Sequence, residues 1–202
     1  MQGGTVVGVL QSIIGLCPLR EGDRERFIRD SQRAFLNEMG RKCERRYGIL
    51  HARAGEDCSR DIKSILFANG SEAFEIKVGD ASVGGVVIRF DDTRRGRLDL
   101  LFVAPCAHGC GIGSAAWQVV EQAYPEIQIW RAEVPVAEKR NAHFLVAGCG
   151  FSVVNRRSCP VEPMYGIGKM EWTLSANTSA FIQLEKVMSA ERSAQNGSPL
   201  AL

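Results

Sequence analysis

The sequence predicts an α+β fold in which a mixed, mostly antiparallel twisted sheet is flanked by helices. Three strand-like runs follow one another closely in the middle of the chain, which is typical of an antiparallel meander. A glycine-rich turn then leads into a helical pattern. Strands and helices do not alternate regularly, so the order of elements differs from a repeating βαβ unit.

The first half of the chain predicts one strand, one helix and the meander. The strand covers residues 12–19, and apolar residues between Phe27 and Phe35 then recur at helical spacing. Residues 40–60 are rich in Arg, Gly and Cys and predict a loop with a short helix. The meander strands are predicted at residues 73–78, 82–90 and 97–103.

The second half returns to helices and strands in a single domain that we place at residues 10–176. Residues 177–202 are predicted to form a C-terminal helix, with Phe181, Leu184, Val187 and Met188 on one face, and a disordered tail. The remaining elements are helices at residues 115–123 and 137–147 and strands at residues 127–134, 151–154 and 169–174.

Composition favours one soluble domain in a reducing compartment. The 202 residues are 45% hydrophobic, enough for one core, and the net charge of +2 does not indicate a polyanionic partner. Seven cysteines without regular spacing argue against a disulfide framework and for the cytoplasm. The chain has neither a basic signal-peptide start nor an apolar run long enough for a membrane helix.

The segment from His108 to Ser114 joins the end of a predicted strand to the start of a helix. It reads His-Gly-Cys-Gly-Ile-Gly-Ser. Glycines let the backbone approach a ligand closely, and unpaired amides at a helix N-terminus attract negative charge. The segment therefore predicts an anion-binding turn.

Other interpretations of this turn have less support. A glycine-rich turn can simply be a tight connection between a strand and a helix. No Lys-Ser or Lys-Thr follows as in a P-loop, and the elements are not in the order of a dinucleotide-binding fold. Cys106, His108 and Cys110 could hold a metal, but the chain has no second cluster with ligand spacing, so we predict no metal.

The glycine turn and a second segment together resemble the GNAT superfamily of N-acetyltransferases. The donor motif of that family has Arg or Gln, two residues, Gly, one residue, then Gly or Ala, and His108, Gly111 and Gly113 follow this spacing. The second segment, residues 139–151, has an Asn, two adjacent aromatic rings and a final Gly-Phe, as in the family. The resemblance covers residues 83–151 and implies an acyl-CoA N-acyltransferase fold.

The resemblance implies that acetyl-CoA is the co-substrate. In such enzymes the strand before the turn pairs with the pantetheine arm, the turn amides hold the pyrophosphate, and the Asn-containing helix lies close to the arm. The donor-binding residues implied in this way are Leu101, Phe102, Val103, His108, Gly109, Cys110, Gly111, Ile112, Gly113, Ser114, Asn141 and Phe144.

The resemblance also implies that a bound amine attacks the thioester directly while a strand amide stabilises the developing oxyanion. The attacking amine must be neutral, whereas a lysine-like ammonium has a reference pKa of about 10.4, so a carboxylate base is useful. Asp99 and Glu133 are the candidate bases, although each can equally be an ordinary solvent-facing strand carboxylate.

The sequence departs from the family pattern at two positions. The tyrosine that often protonates the departing thiolate is missing, because its position falls at Leu145 counted from Asn141 and at Val146 counted back from the Gly-Phe pair. Tyr165 or a water molecule is the candidate replacement. His108 stands where Arg or Gln is usual, and it carries less dependable charge for binding phosphate.

The sequence thus predicts a cytoplasmic GNAT-type acetyltransferase that moves an acetyl group from acetyl-CoA to a primary amine of a small molecule, peptide or protein. A catalytically weak acyl-CoA-binding sensor or interaction domain is the alternative, favoured by the missing tyrosine. A polyanion-binding module that uses the arginine clusters is a remoter alternative. No nucleic-acid or membrane partner is predicted, and the resemblance allows a homodimer.

Overall fold

The computed structural model describes residues 13–43, 62–91, 93–136, 138–160 and 178–188. The chain divides into two compact units. The first consists of Met1–Trp130 with Val187–Leu202, and the second of Arg131–Lys186. None of the helices in the described residues combines the length and apolar character that crossing a membrane requires.

The first unit contains four strands that pair in sequence order, each antiparallel to the next. This arrangement is the predicted meander, extended by the first strand of the chain. A long helix follows the first strand, and a second helix follows the fourth strand. The bounds are Ile14–Pro18 for β1, Arg24–Cys43 for α1, Ser71–Val78 for β2, Ala81–Phe90 for β3, Arg95–Val103 for β4 and Ile112–Ala123 for α2.

Helix α1 covers one face of this sheet. Phe27 and Ile28 of the helix belong to a buried cluster with Val87 of β3 and with Leu100 and Phe102 of β4. The rings of Phe27 and Phe102 meet edge to face with centroids 5.1 Å apart. Apolar residues at helical spacing on α1 therefore bury one side of the sheet.

Helix α2 covers the opposite face. Ile112, Ala115 and Ala116 form a second buried cluster with Ile14 and Ile76 from the first two strands. The small side chains on α2 let the helix lie close to the sheet. Further along α2 the ring of Trp117 meets that of Trp130 edge to face, with both side chains fully buried.

An aromatic cluster closes this second core. The ring of Tyr124 contacts Phe90 and lies near Phe74, and its hydroxyl donates to Glu72 Oε2 at 2.6 Å. Burial, together with the hydrogen bond to Glu72, raises the pKa of Tyr124 above its ordinary value. Tyr124 thus stays neutral and connects the end of α2 to β2.

The turn between β3 and β4 is organised by one carboxylate. Oδ1 of Asp91 accepts from the Thr93 hydroxyl at 2.6 Å, from the Thr93 amide at 2.9 Å and from the Arg95 amide at 3.1 Å. The hydroxyl of Thr93, followed by these amides, lowers the pKa of Asp91 below its ordinary value. A short polar side chain therefore closes the hairpin, with Arg94 in the left-handed region at φ 56°.

The described residues of the second unit form one helix and strands in the order β5, β7, β6. Strand β5 begins in the first unit with Ile129 and Trp130, and β6 pairs antiparallel with β7. A single π-helical turn, Phe144–Gly148, directly follows the helix. The bounds are Ile129–Pro135 for β5, Lys139–His143 for α3, Ser152–Pro160 for β6 and Thr178–Val187 for β7.

The predicted C-terminal helix is wrong. Phe181, Leu184 and Val187 lie in β7, and Met188 directly follows it. Burial alternates along the strand, because Ile182 and Leu184 are buried while their neighbours are more exposed. Apolar residues spaced three and four apart also fit this strand, so the local pattern did not separate the two structures. The predicted domain end at residue 176 therefore excluded a strand of the sheet.

The fold class is otherwise as predicted, a mixed and mostly antiparallel sheet with helices. Observed bounds differ from the predicted ones by a few residues at most strands, as is usual where ends fray. The strand predicted at residues 169–174 and the tail from residue 189 lie outside the described residues.

Candidate active site

The predicted anion-binding turn leaves the end of β4 and enters α2. A single turn of 3-10 helix, Pro105–Ala107, precedes it. Gly109 and Gly111 both have a φ of +78°, in the left-handed region that only glycine enters without strain. These two left-handed residues, separated by Cys110, change the direction of the chain just before α2 begins.

The start of α2 provides backbone donors. Its first hydrogen bond runs from Ala115 N to Gly111 O at 3.0 Å, so the earlier amides of the helix have no partner within it. Gly111 occupies the N-cap and offers no side-chain cap. Residues 109–111 of the turn are exposed, whereas Ile112 and Gly113 at the start of α2 are buried. This arrangement suits an anion.

The register of β3 and β4 determines where the backbone groups of β4 point. Ala104 N donates to Val83 O at 2.7 Å, which makes these residues a hydrogen-bonded pair. Bonded and non-bonded pairs alternate along an antiparallel ladder. The next pair, which contains Val103, is therefore non-bonded, the pair containing Phe102 is bonded, and the pair containing Leu101 is non-bonded.

The alternation of bonded and non-bonded pairs reduces the number of β4 residues whose backbone groups can contact pantetheine. The amide and carbonyl groups of Leu101 and Val103 point to the edge of β4 that faces away from β3. The backbone of Phe102 is directed at Gly85 of β3, and its side chain is buried under α1. Leu101 thus offers an outward donor and an outward acceptor, and Val103 offers an outward donor, because the Val103 carbonyl is 2.6 Å from Nε2 of His108.

His108 lies at the end of the 3-10 turn and contacts the strand that precedes it. Its Nε2 is 2.6 Å from Val103 O, and the side chain is half-buried. A carbonyl oxygen only accepts, so Nε2 carries the proton and donates. The predicted contact of His108 with phosphate therefore cannot use this nitrogen while the bond is made.

Asp99 lies at an irregularity of β4. Val87 faces Leu100 while Ile88 faces Leu98, so Asp99 is the extra residue of a β-bulge. Its side chain is only 4% exposed, and its carboxylate is 3.0 Å from Arg89 Nη2 and 2.7 Å from Arg97 Nε. Both guanidinium groups donate to Oδ1, so the carboxylate is buried in an ion-pair cluster, which does not suit a general base.

A polar cavity that the sequence did not reveal lies under α1. It has a volume of about 180 Å³, and Phe27, Asp30, Glu75 and Phe102 contribute to its lining. Arg26 Nη2 lies 2.5 Å from Glu75 Oε1. The hydrogen bond to Asp23, then the charge of Glu75, raises the pKa of Arg26. Neither the strand pattern nor the helix pattern indicates that Glu75 is buried, because its partner is 49 residues away.

The second unit holds the other predicted site residues. Glu133 is exposed on β5 and accepts from Gln183 Nε2 of β7 at 3.0 Å. Asn141 on α3 donates through Nδ2 to Glu138 Oε2 at 2.5 Å. Phe144 is half-buried and begins the π-helical turn. Tyr165 lies outside the described residues.

The π-helical turn accounts for the two counts of the missing tyrosine. A π turn contains one residue more than an α turn. The tyrosine position counted forward from Asn141 and the one counted back from Phe151 therefore differ by one residue. Leu145 is 6% exposed and Val146 is 40% exposed, so only the latter presents its side chain to solvent.

The end of this turn is held by two bonds. Phe151 N donates to Leu145 O at 3.0 Å, and Lys186 Nζ of β7 donates to Cys149 O at 2.7 Å. Gly150, with φ +78°, lets the chain reverse here.

Among the described residues, no three His, Cys, Asp or Glu side chains converge as metal ligands would, and Cys106 and Cys110 are both free thiols.

Comparison with known proteins identifies the family. Residues 27–151 match the Acetyltransferase (GNAT) family. This match covers more than half of the chain, which therefore belongs to the GNAT family of acetyltransferases. The acyltransferase class and the fold predicted from the sequence are confirmed.

Individual relatives agree with this assignment. The "Uncharacterized protein YrkN" of Bacillus subtilis (strain 168) is 33% identical over 127 residues, which cover 59% of this chain and 69% of that protein. An acetyltransferase from Thermus thermophilus is similar in structure, with a TM-score of 0.58 and 16% identity over 87% of this chain and 97% of that one.

Two structures solved with ligands are also similar. The PaiA N-acetyltransferase from Thermoplasma acidophilum, in complex with coenzyme A, has a TM-score of 0.55 and 16% identity over 87% of this chain and 99% of its own. The microcin C7 self-immunity acetyltransferase MccE, in complex with acetyl-CoA and AMP, has a TM-score of 0.58 and 15% identity over 89% and 94%. At these identities the likeness establishes the fold.

Proposed function

We propose that this chain transfers an acetyl group from acetyl-CoA to a primary amine of a small molecule, peptide or protein. The observation that carries the proposal is the path along β4, where the outward backbone groups of Leu101 and the outward amide of Val103 are followed by the exposed glycine turn and the unpaired amides at the start of α2. A donor with a peptide-like arm and a pyrophosphate matches this succession of groups. The ligands of the PaiA and MccE structures support the same donor.

The donor's two parts need different protein groups. The pantetheine arm contains amides, which pair with outward N–H and C=O groups of a strand edge. The pyrophosphate carries negative charge, which N–H groups at the start of α2 and the helix dipole stabilise. Asn141 and Phe144, in the segment that resembles the family's Asn-containing helix, stay predicted contacts of the donor arm.

The proposed transfer is direct. The neutral amine nitrogen attacks the thioester carbonyl carbon, the C–N bond forms, and the C–S bond then breaks to release the thiolate. The proton lost by the amine goes to a base, and the thiolate, with an ordinary thiol pKa of about 8.5, can leave without a tyrosine. A strand amide stabilises the oxyanion.

Glu133 is the better supported base of the two candidates. The side chain of Glu133 is exposed on β5, so an acceptor amine can approach its carboxylate. The carboxylate of Asp99 is buried between two guanidinium groups. We therefore propose Glu133 as the base and an ion-pairing role for Asp99, while Tyr165 stays a prediction.

The donor assignment is tested by calorimetric titration of acetyl-CoA into the wild-type protein and into Gly109→Ala. The substitution forces a side chain into φ +78° without a steric clash, because a Cβ at Gly109 meets nothing within 4 Å. Gly79→Ala is the matched control, since Gly79 is also left-handed, at φ +60°, and equally uncrowded in the β2–β3 turn. Each substitution should cost about 1 kcal/mol of stability.

We expect acetyl-CoA to bind the wild type and Gly79→Ala equally and Gly109→Ala about tenfold more weakly. Pantetheine, which lacks the pyrophosphate, should bind on the order of a hundredfold more weakly than acetyl-CoA. No wild-type binding at millimolar acetyl-CoA would refute the proposal. Tight binding without thiol release across a panel of amines would instead favour the sensor alternative.

A further inference from the structure

The ring of His108 is bonded to the strand that leads into its own turn. The 2.6 Å contact of Nε2 with Val103 O spans only five residues and closes the 3-10 turn between them. The side chain is half-buried, which shields this bond from water. The imidazole therefore acts within the protein before any ligand arrives.

The carbonyl that His108 engages points away from β3. Val103 lies in a non-bonded pair with Gly84, so its carbonyl is on the edge of β4 that faces away from β3. The same peptide group is already fixed in the sheet, because Ala104 N donates to Val83 O at 2.7 Å. The bond from Nε2 therefore attaches the residue that begins the glycine turn to a fixed point of the strand.

The backbone of this connection is otherwise fixed mainly on its strand side. Ala107 N donates to Ala104 O at 2.8 Å, and His108 N is 3.4 Å from Pro105 O, which is a long bond. Gly109 and Gly111 follow, and glycine has the largest backbone freedom of any residue. The His108 ring is thus the short, strong contact that connects the glycine turn to β4.

We propose that His108 is a positioning residue that braces the glycine turn against Val103 and so pre-organises its amides for the donor pyrophosphate. The inference rests on the proposed donor site and replaces the direct phosphate contact expected from the sequence. Ordering the turn in advance lowers the entropy that donor binding must overcome.

The proposed bond uses the Nε2 position of the imidazole, so an informative variant must keep or remove an N–H group at that position. A glutamine side-chain amide places an N–H close to the position of Nε2, whereas an asparagine amide is one bond shorter and corresponds to Nδ1. Both amides are neutral, so neither supplies imidazolium charge to a phosphate. His108→Gln and His108→Asn therefore separate the brace from a direct contact with the ligand.

The test is calorimetric titration of coenzyme A into wild-type protein, His108→Gln and His108→Asn, with thermal unfolding of each variant as the folding control. We expect His108→Gln to bind within about twofold of the wild type. His108→Asn should bind about five- to tenfold more weakly, the equivalent of one net hydrogen bond. The unfolding midpoint of His108→Gln should match that of the wild type, and that of His108→Asn should fall by about 2–4 °C, because the bond also stabilises the protein without ligand.

Equal losses in both variants would overturn the brace and favour direct recognition of the ligand by the imidazole. Unchanged affinity in both variants would overturn it as well. Either result requires wild-type binding, so failure of this inference is distinguishable from failure of the donor site itself, in which the wild type would not bind coenzyme A.

Discussion

Asp99 shows that a residue type alone does not identify a catalytic base. Along the sequence it is a carboxylate within an apolar strand, which suggests an unusual and therefore functional position. In the structure it is the extra residue of a bulge and sits between Arg89 and Arg97. Residues two apart on a strand share a face, so the Arg97–Asp99 pair was readable from the sequence, whereas the contact with Arg89 depends on the β3 register.

Substitution of the two candidate bases should affect different properties, stability for Asp99 and acetylation rate for Glu133. Asp99→Asn should lower the free energy of unfolding by about 2 kcal/mol, because two half-exposed arginines lose their buried partner. Glu133→Gln should change it by less than about 0.5 kcal/mol, because the side chain is exposed, yet it should reduce the acetylation rate. Chemical denaturation and thiol-release assays measure the two effects.

These assays also show which assignment fails. An Asp99→Asn protein with wild-type stability and no acetylation would make Asp99 the base. Normal acetylation by Glu133→Gln across the pH range would remove Glu133 from the mechanism. Gln183→Ala is a useful companion, since it removes the hydrogen bond to Glu133 while leaving the carboxylate in place.

At the scale of elements, the π-helical turn is an insertion that the fold accommodates without losing its helix end. Phe151 N reaches back six residues to Leu145 O, one more than in the usual helix-ending bond. Residues on both sides of the turn keep their family spacing to their own neighbours. The extra residue is absorbed locally, and π turns of this kind often occur at functional sites.

Deletion of exposed Val146 should convert the π turn to an ordinary α turn. We expect the shortened protein to fold with a loss of less than about 2 kcal/mol, because the deleted side chain is exposed and an α turn in place of the π turn would leave buried Leu145 and Cys149 in register with their neighbours. Deletion of Gln118 from the middle of α2 is the matched control. It rotates the following residues by about 100° and takes Val120 out of the core, so it should prevent folding.

Circular dichroism and thermal unfolding distinguish these outcomes. Failure of the Val146 deletion to fold would mean that the extra residue is required by the packing around Leu145. A folded Gln118 deletion would mean that α2 tolerates a shift of register, contrary to the tight packing of its small residues against the sheet.

At the scale of the whole molecule, helix α1 lies close to the first sheet because of a glycine that is distant from it in sequence. A Cβ at Gly85 would lie 2.2 Å from the ring of Phe27 and 2.7 Å from that of Phe102. Such distances are shorter than any real contact, so α1 approaches the sheet only because β3 carries glycine here. The edge-to-face pair of aromatic rings occupies the space.

Gly85→Ala should lower the free energy of unfolding by about 1–3 kcal/mol, because the ring of Phe27 must move. Phe27→Leu in the same chain should recover part of this loss by removing the clashing ring atoms. Gly15→Ala in β1 is the control, since its Cβ meets nothing within 4 Å and alanine is no worse than glycine in a strand. Denaturant titration measures all four proteins, and a neutral Gly85→Ala would contradict the packing argument.

The sequence by itself determined the fold class, most strands, both main helices and the glycine turn, because each leaves a local signal in hydrophobic period or in glycine placement. Tertiary structure alone decided three features. Pairing with β6 made residues 178–187 a strand although their spacing also fits a helix. The register with β3 directed the backbone of Leu101 and Val103 outward. Folding of the turn brought His108 onto Val103. Each depends on which segment lies alongside, and a strand's partner is not encoded in its own periodicity.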